Sequence, residues 1–503
     1  MLTLPLDPTD DRANPIFKDV ASCTAWLAQF QLTNLQRAHG QLLTQINELN
    51  RYPMAGLERM NTLELLRETV GFIQEDMAKK LIALPLPLSE SELQTFVAIT
   101  QLWQAMVTGY QRCLQAFVAG DKKLAEYGTL LCDRCLQYTG LAIFEHLRAG
   151  YECNPKWWHQ LHDLYAFVEV QGFTEQRVED GYAEAHSSTC SNRYIKTLLA
   201  CYAHPAELSR NQLQLLDRWL DVWSNDLRIE TKCIASKGDA QPLAVDLAGK
   251  QGLQAIHHVE AIDSMRFMAV VPLSKLLRVK LILLQQGTGL AEVGLGELPN
   301  PAVAIELLNF LHRCWCEESN SRLTPRQEAW QPVSFACNSN EIVSLLAGHA
   351  HDSSEVWRMD DESLMGARYT RTIAGATRLR FNQLVAVQKN AVDAVKLASV
   401  AWLHISTLGQ LQVGLSYLPG KVETLTFPTL ASRSERGMTI PSGFLLAELS
   451  SLRIPASLIV PRNVFKANTH LPLLRANGVA ETVRMGFSVA RGVDFERVSF
   501  TVI

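Results

Sequence analysis

Two short patterns in the 503-residue chain carry side chains suited to gripping an anionic, hydrogen-bonding ligand. Arg322 and Arg326 stand four apart in Arg-Leu-Thr-Pro-Arg, and Asp361, Ser363 and Gly366 form Asp-x-Ser-x-x-Gly. A guanidinium is a rigid fork of donors that fits phosphate oxygens and the O6/N7 edge of guanine. Aspartate and serine can bond the polar edges of a base, and a glycine lets a flat ring lie against the backbone. The arginine spacing alone occurs often by chance and Asp-x-Ser-x-x-Gly alone is also ordinary turn chemistry, so their order, arginines ahead of the turn, gives them their weight.

The other reactive residue types do not assemble into a catalytic set. Cys132 and Cys135 form a lone Cys-x-x-Cys inside a helical stretch and read as buried thiols, because zinc needs four ligands and a redox pair needs a βα setting. His312, Cys314 and Cys316 share one helix, where a spacing of two sends side chains to different faces. The pairs His159/His162, His257/His258 and His349/His351 lack the carboxylate spacing of a metalloprotease helix and read as surface or interface histidines. Gly287, Gly289, Gly294 and Gly296 miss the dinucleotide spacing and read as a connecting loop. Neither a phosphate-binding loop nor a Gly-x-Ser-x-Gly elbow is present. The expectation is a protein that is not an enzyme and that uses neither metal nor cofactor.

Composition narrows the class further. Hydrophobic residues at 47% and charged residues at 19% supply core throughout, and the length exceeds the roughly 250 residues at which single cores stop growing. A net charge of −4 gives no general attraction to nucleic acid or anionic membrane. The start, Met1-Leu-Thr-Leu-Pro-Leu-Asp-Pro, lacks the basic, apolar make-up of a signal peptide, and no stretch approaches the roughly 18 apolar residues of a membrane span. Eleven scattered cysteines fit reduced thiols in the cytoplasm.

The elements that must position these residues follow from periodicity. From about 18 to 225 apolar residues recur at three and four, the signature of amphipathic helices. Ser89 and Glu92 form a capping box, stapled by Leu88 and Leu93, ahead of the stripe Ile99, Trp103, Met106, Tyr110, Cys113 and Phe117. Ser209 and Gln212 repeat the device before Trp223, through either internal duplication or shared helix-start grammar. Residues 232–275 read as an irregular insert with short strands, helices return over 274–284 and 303–316, and polar 317–328 reads as a linker. Beyond it the period becomes two: Val400, Trp402 and His404, then Leu411, Val413 and Leu415, then Val483, Met485, Phe487 and Val489 mark half-buried strands. Val493 and Phe495 fall out of phase with Val498, Phe500 and Val502, as at a β-bulge. The expected fold is α+β and multidomain: a helical domain over 1–230, a mixed insert with helices over 231–317, a β-barrel over 318–420, and a further β segment or second β-domain over 421–503.

With its arginines, its Asp-x-Ser-x-x-Gly turn and its later strands at 384–387, 400–403 and 412–416, the stretch 320–420 resembles a PilZ domain, the β-barrel receptor of cyclic di-GMP. The helical region resembles the helical halves joined to PilZ-like domains in some betaproteobacterial proteins. There are departures from the pattern: no arginine doublet, Pro325 between the arginines, and 34 residues between Arg326 and Asp361. An alternative alignment puts Trp330 where the second arginine belongs. The resemblance implies a bacterial cytoplasmic effector that binds cyclic di-GMP through Arg322, Arg326, Asp361, Ser363 and Gly366 and signals by a protein contact of its helical region. The alternative is a ligand-independent scaffold with a degenerate barrel.

Overall fold

The computed structural model describes residues 2, 4, 8–81, 84–179, 187–233, 240–256, 262–297, 300–317, 326–349, 355–373, 377–428 and 442–503. Arg322, His257, His258 and His351, which the sequence singles out, lie outside these residues, as does most of the expected linker.

The chain forms two compact units, one of Met1–Ile82 with Ser89–Ser321, the other of Ala83–Leu88 with Arg322–Ile503. The first is built on helices α1 (Val20–Ala28), α2 (Leu35–Arg51), α3 (Gly56–Lys79), α4 (Glu90–Val118), α5 (Gly128–Ala149) and α6 (Pro155–Gln171). A two-stranded ribbon, β1 (Val178–Glu179) with β2 (Ser187–Ser188), precedes α7 (Cys190–Tyr202) and α8 (Arg210–Trp223). The capping boxes at Ser89 and Ser209 start α4 and α8, with Glu92 accepting the Ser89 N–H at 2.7 Å and Gln212 the Ser209 N–H at 2.9 Å. The α4 stripe from Ile99 to Cys113 is buried, packed on α3 and α5. At Gly140 of α5 a Cβ would come within 2.4 Å of Thr197 Oγ1 on α7, so the glycine sets how closely these helices pack.

Charge is also buried in this unit. Glu64 accepts from Arg134 Nε at 3.0 Å, Arg67 at 3.0 Å and the Tyr110 hydroxyl at 2.7 Å. Burial alone would raise the Glu64 carboxyl, but the two arginines outweigh it and hold the group below its ordinary range. His162, expected at a surface or interface, is instead fully buried: one ring nitrogen meets the Tyr194 hydroxyl at 2.7 Å and the other the Gln251 carbonyl at 2.9 Å. Two polar partners offset its desolvation, so it serves as a core residue. The insert forms a four-stranded antiparallel sheet in the order β3-β6-β4-β5, from β3 (Ile229–Glu230), β4 (Leu243–Asp246), β5 (Gln254–Ala255) and β6 (Met265–Met268). The hairpin of α9 (Val271–Gln285) and α10 (Pro301–Cys316) follows.

The second unit contains two closed six-stranded barrels. The first takes β7 (Gln327–Ala336), β8 (Trp357–Glu362), β9 (Gly366–Thr372), β10 (Leu384–Gln388), β11 (Lys396–Ile405) and β12 (Gln410–Tyr417), in the order β10-β11-β12-β9-β8-β7. A short helix, α11 (Ser339–Leu346), lies between β7 and β8 and accounts for part of the long stretch between Arg326 and Asp361. The second takes β13 (Val422–Thr426), β14 (Ser442–Leu446), β15 (Ser457–Pro461), β16 (His470–Arg475), β17 (Ala480–Arg491) and β18 (Phe495–Val502), in the order β13-β14-β15-β18-β17-β16. Ile342 and Leu345 of α11 join Ala336 and Leu384 of the first barrel to Phe444, Ile459 and Phe495 of the second in one buried cluster. The two barrels therefore share core.

Part of the stretch expected within the 1–230 helical domain belongs to this β unit. Leu86 exchanges two backbone hydrogen bonds of 2.8 Å with Leu379, and Arg378 donates to the carbonyls of Pro85 and Pro87 at 2.9 and 2.8 Å. Prolines at 85 and 87 leave an extended backbone with few donors, which the β unit pairs.

Two strands depart from simple alternation. β11 carries a bulge between Val400 and Trp402, so the buried face passes from Val400 to Leu403 and Ile405. Between β17 and β18 the expected irregularity is real, but the extra residues sit on β17, where Met485, Ser488 and Ala490 pair with Phe500, Val498 and Arg497. These bulges turn Phe487, 68% exposed, and Val489 outward, while Val483 and Met485 stay buried. Among the described residues no helix is long and apolar enough to cross a membrane.

Candidate functional site

Arg326 and Asp361 meet on the outer face of the first barrel, with Ser363 and Gly366 at the β8–β9 turn beside them. Trp357 and Met359 of β8 are buried, so Arg358 between them faces out. A bulge then sets Asp360 and Asp361 opposite the single residue Arg368 of β9, and both carboxylates lie on the side where that guanidinium reaches them, at 3.6 and 3.4 Å. Asp360 also accepts from Arg358 Nε at 2.8 Å and from the Thr370 hydroxyl at 2.5 Å. Asp361 accepts from Arg326, the residue just before β7, and the register of Glu328 against Asp361 makes that reach possible. Three guanidiniums thus converge on two adjacent, largely buried carboxylates, with the exposed Glu328 beside them.

Ser363 and Gly366 are placed nearby but are occupied by the fold. Both the backbone N–H and the hydroxyl of Ser363 donate to the Gly366 carbonyl, at 2.8 and 3.1 Å, and so close the β8–β9 turn. A Cβ on Gly366 would fall 2.0 Å from the Leu415 carbonyl oxygen across the β9–β12 pairing, so strand closure already demands glycine here.

Glu362, between Asp361 and Ser363, lines a recess of about 300 Å³. It accepts from Lys389, from Lys396 at 3.0 Å and from the Tyr417 hydroxyl at 2.9 Å, and Tyr417 meets Tyr369 at 3.0 Å. Burial would raise the Glu362 carboxyl; the two lysines and the tyrosine together hold it below its usual value.

Arg358, Arg368 and Asp360 were not singled out by spacing. Arg358 carried a readable signal, a charge between two large apolar residues in a strand, but the bulge that recruits Arg368 has no sequence mark. In the helical unit a groove of about 610 Å³ is lined by paired charges: Lys196 with Asp217 at 2.9 Å and Asp221 at 2.7 Å, and Arg228 with Glu175 at 3.0 Å. Cys132 and Cys135 are buried on α5, with burial pushing the Cys132 thiol up to about 12. Among the described residues no group of three or more His, Cys, Asp and Glu could hold a metal ion.

Comparison with known proteins gives matches at both ends of the chain. Residues 21–235 match the N-terminal domain of the cyclic-di-GMP receptor FimW, and 432–503 match the FimW C-terminal β-barrel domain. The FimW protein of Pseudomonas aeruginosa, a cyclic-di-GMP receptor, is 22% identical over 346 residues, covering 68% of this chain and 56% of that relative. The first barrel, with the arginine cluster, falls between the two matched domains. The matches fall on the helical unit and on the terminal barrel, so the chain is similar to the FimW family at both of that family's domains.

Proposed function

We propose that this chain is a cytoplasmic, non-enzymatic receptor for cyclic di-GMP, with the nucleotide held on the outer face of the first barrel and the signal passed on by a protein contact of the helical unit. The observation that carries the reading is the convergence of Arg326, Arg358 and Arg368 around Asp360 and Asp361. The description of the FimW relative as a cyclic-di-GMP receptor supplies the ligand class. Eleven cysteines without a disulfide suit a reducing compartment.

The chemistry runs through the carboxylates as much as through the arginines. Asp361 holds Arg326 from one side, which leaves the remaining donors of the guanidinium to a phosphate or a guanine edge at little further entropic cost. Arg368, shared by both aspartates, is 40% exposed at its side chain and can swing a donor edge outward without losing both partners. Ser363 and Gly366 keep the turn in shape for Asp361.

A thermal-shift titration of the full chain tests the reading. Cyclic di-GMP at a hundredfold excess over its Kd adds about 2.7 kcal/mol to the stability of a binding-competent fold, so the unfolding midpoint should rise with nucleotide and stay put with GMP at equal concentration. An unmoved midpoint up to millimolar nucleotide supports the ligand-independent scaffold instead.

A further inference from the structure

Trp330 lies in the bulge of β7, where the register steps from Glu328–Asp361 to Gln331–Met359, and its backbone takes φ +32°. Bulky residues avoid this region, and glycine is the usual occupant of such a bulge. The side chain is an indole 60% exposed to water, an expensive group to display. It is also held: the Arg358 guanidinium lies 4.6 Å from the ring centroid, and that guanidinium is itself fixed by Asp360 at 2.8 Å. A strained backbone, an exposed aromatic face and a clamped cation meet at one point, next to Arg326 and Asp361.

We infer that Trp330, braced by Arg358, is a stacking platform on which one guanine base of the nucleotide lies. The inference rests on the receptor reading and deepens it, since it adds base contact to phosphate contact and names the residues that supply it. One ring face packs on the cation, and the open part of the indole offers a flat apolar surface to a purine. Stacking a base on an aromatic ring is sequence-tolerant in itself, so the platform supplies affinity and leaves the choice of guanine to the other arginine forks of the cluster.

The test is isothermal calorimetry of cyclic di-GMP into the full chain, as wild type, Trp330→Gly and Trp330→Phe. Glycine suits the positive φ, so Trp330→Gly should fold at least as well as wild type by thermal unfolding. Affinity should fall about tenfold in Trp330→Gly and stay within about threefold in Trp330→Phe. Wild-type affinity in Trp330→Gly overturns the platform while leaving the receptor reading in place. An equal loss in Trp330→Phe and Trp330→Gly overturns it too, since an aromatic face would then not be the interaction. Absence of binding by the wild type removes both readings.

Discussion

Arg326 and Asp361, 35 positions apart in the chain, meet as an ion pair on the outside of the first barrel because β7 and β8 pair in antiparallel register. The pair joins the arginine segment to the Asp-x-Ser-x-x-Gly turn, and it is shared with Arg368 across a bulge. The nearby turn is under a different constraint, the closure of the barrel.

That constraint predicts that Gly366→Ala damages the fold before it touches any ligand. The added Cβ meets a backbone carbonyl at 2.0 Å, which cannot swing aside as a side chain would. We expect a loss of about 1–3 kcal/mol or more, read as a lower denaturant midpoint. A variant of unchanged stability would show that β9 and β12 pair less closely than described.

The Glu362 cluster predicts acid sensitivity. Its carboxyl is depressed in the folded state from an ordinary value of 4.5, so its contribution is present above pH 4.5 and is lost as pH falls through the lower folded-state value. Glu362→Gln should flatten the fall in midpoint over that acid window relative to wild type. Parallel curves for the two proteins would contradict the assignment.

In the helical unit, Ser89→Ala should cost about 0.5–2 kcal/mol through loss of the capping box at the start of α4. Thermal unfolding measures this directly, and cyclic di-GMP affinity should not move. A midpoint equal to wild type would place the helix start elsewhere.

Periodicity and capping carried the architecture well, and pairing geometry is where they ran out. The α4 stripe and the Ser89 and Ser209 boxes are local signals, set by residues within one or two turns, and the structure places them as read. Bulges are not local: the outward turn of Phe487 depends on how β17 meets β18, and the arrival of Arg368 at Asp360 and Asp361 depends on β8 meeting β9. His162 was misread because its partners, Tyr194 and the Gln251 carbonyl, lie 32 and 89 residues away. Pro85–Leu88 looked like a helix-start lead, and its strand-like pairing with Leu379 comes from a partner almost three hundred positions on. At the site, Asp361 and Arg326 were legible as types in order. The Ser363 hydroxyl, read as a base contact, donates to the Gly366 carbonyl within the turn.

The most direct test of the account is a calorimetric titration of cyclic di-GMP into the full-length wild type, Arg326→Ala and Arg326→Lys, after circular dichroism has shown all three folded. A charge-assisted contact is worth about 1.5–3 kcal/mol, so Arg326→Ala should weaken binding roughly ten- to a hundredfold. Arg326→Lys should recover only part of it, because an ammonium keeps the charge and loses the fork. Equal affinities across the three proteins would contradict the arginine clamp, and no binding by the wild type at high micromolar nucleotide would contradict the receptor reading itself.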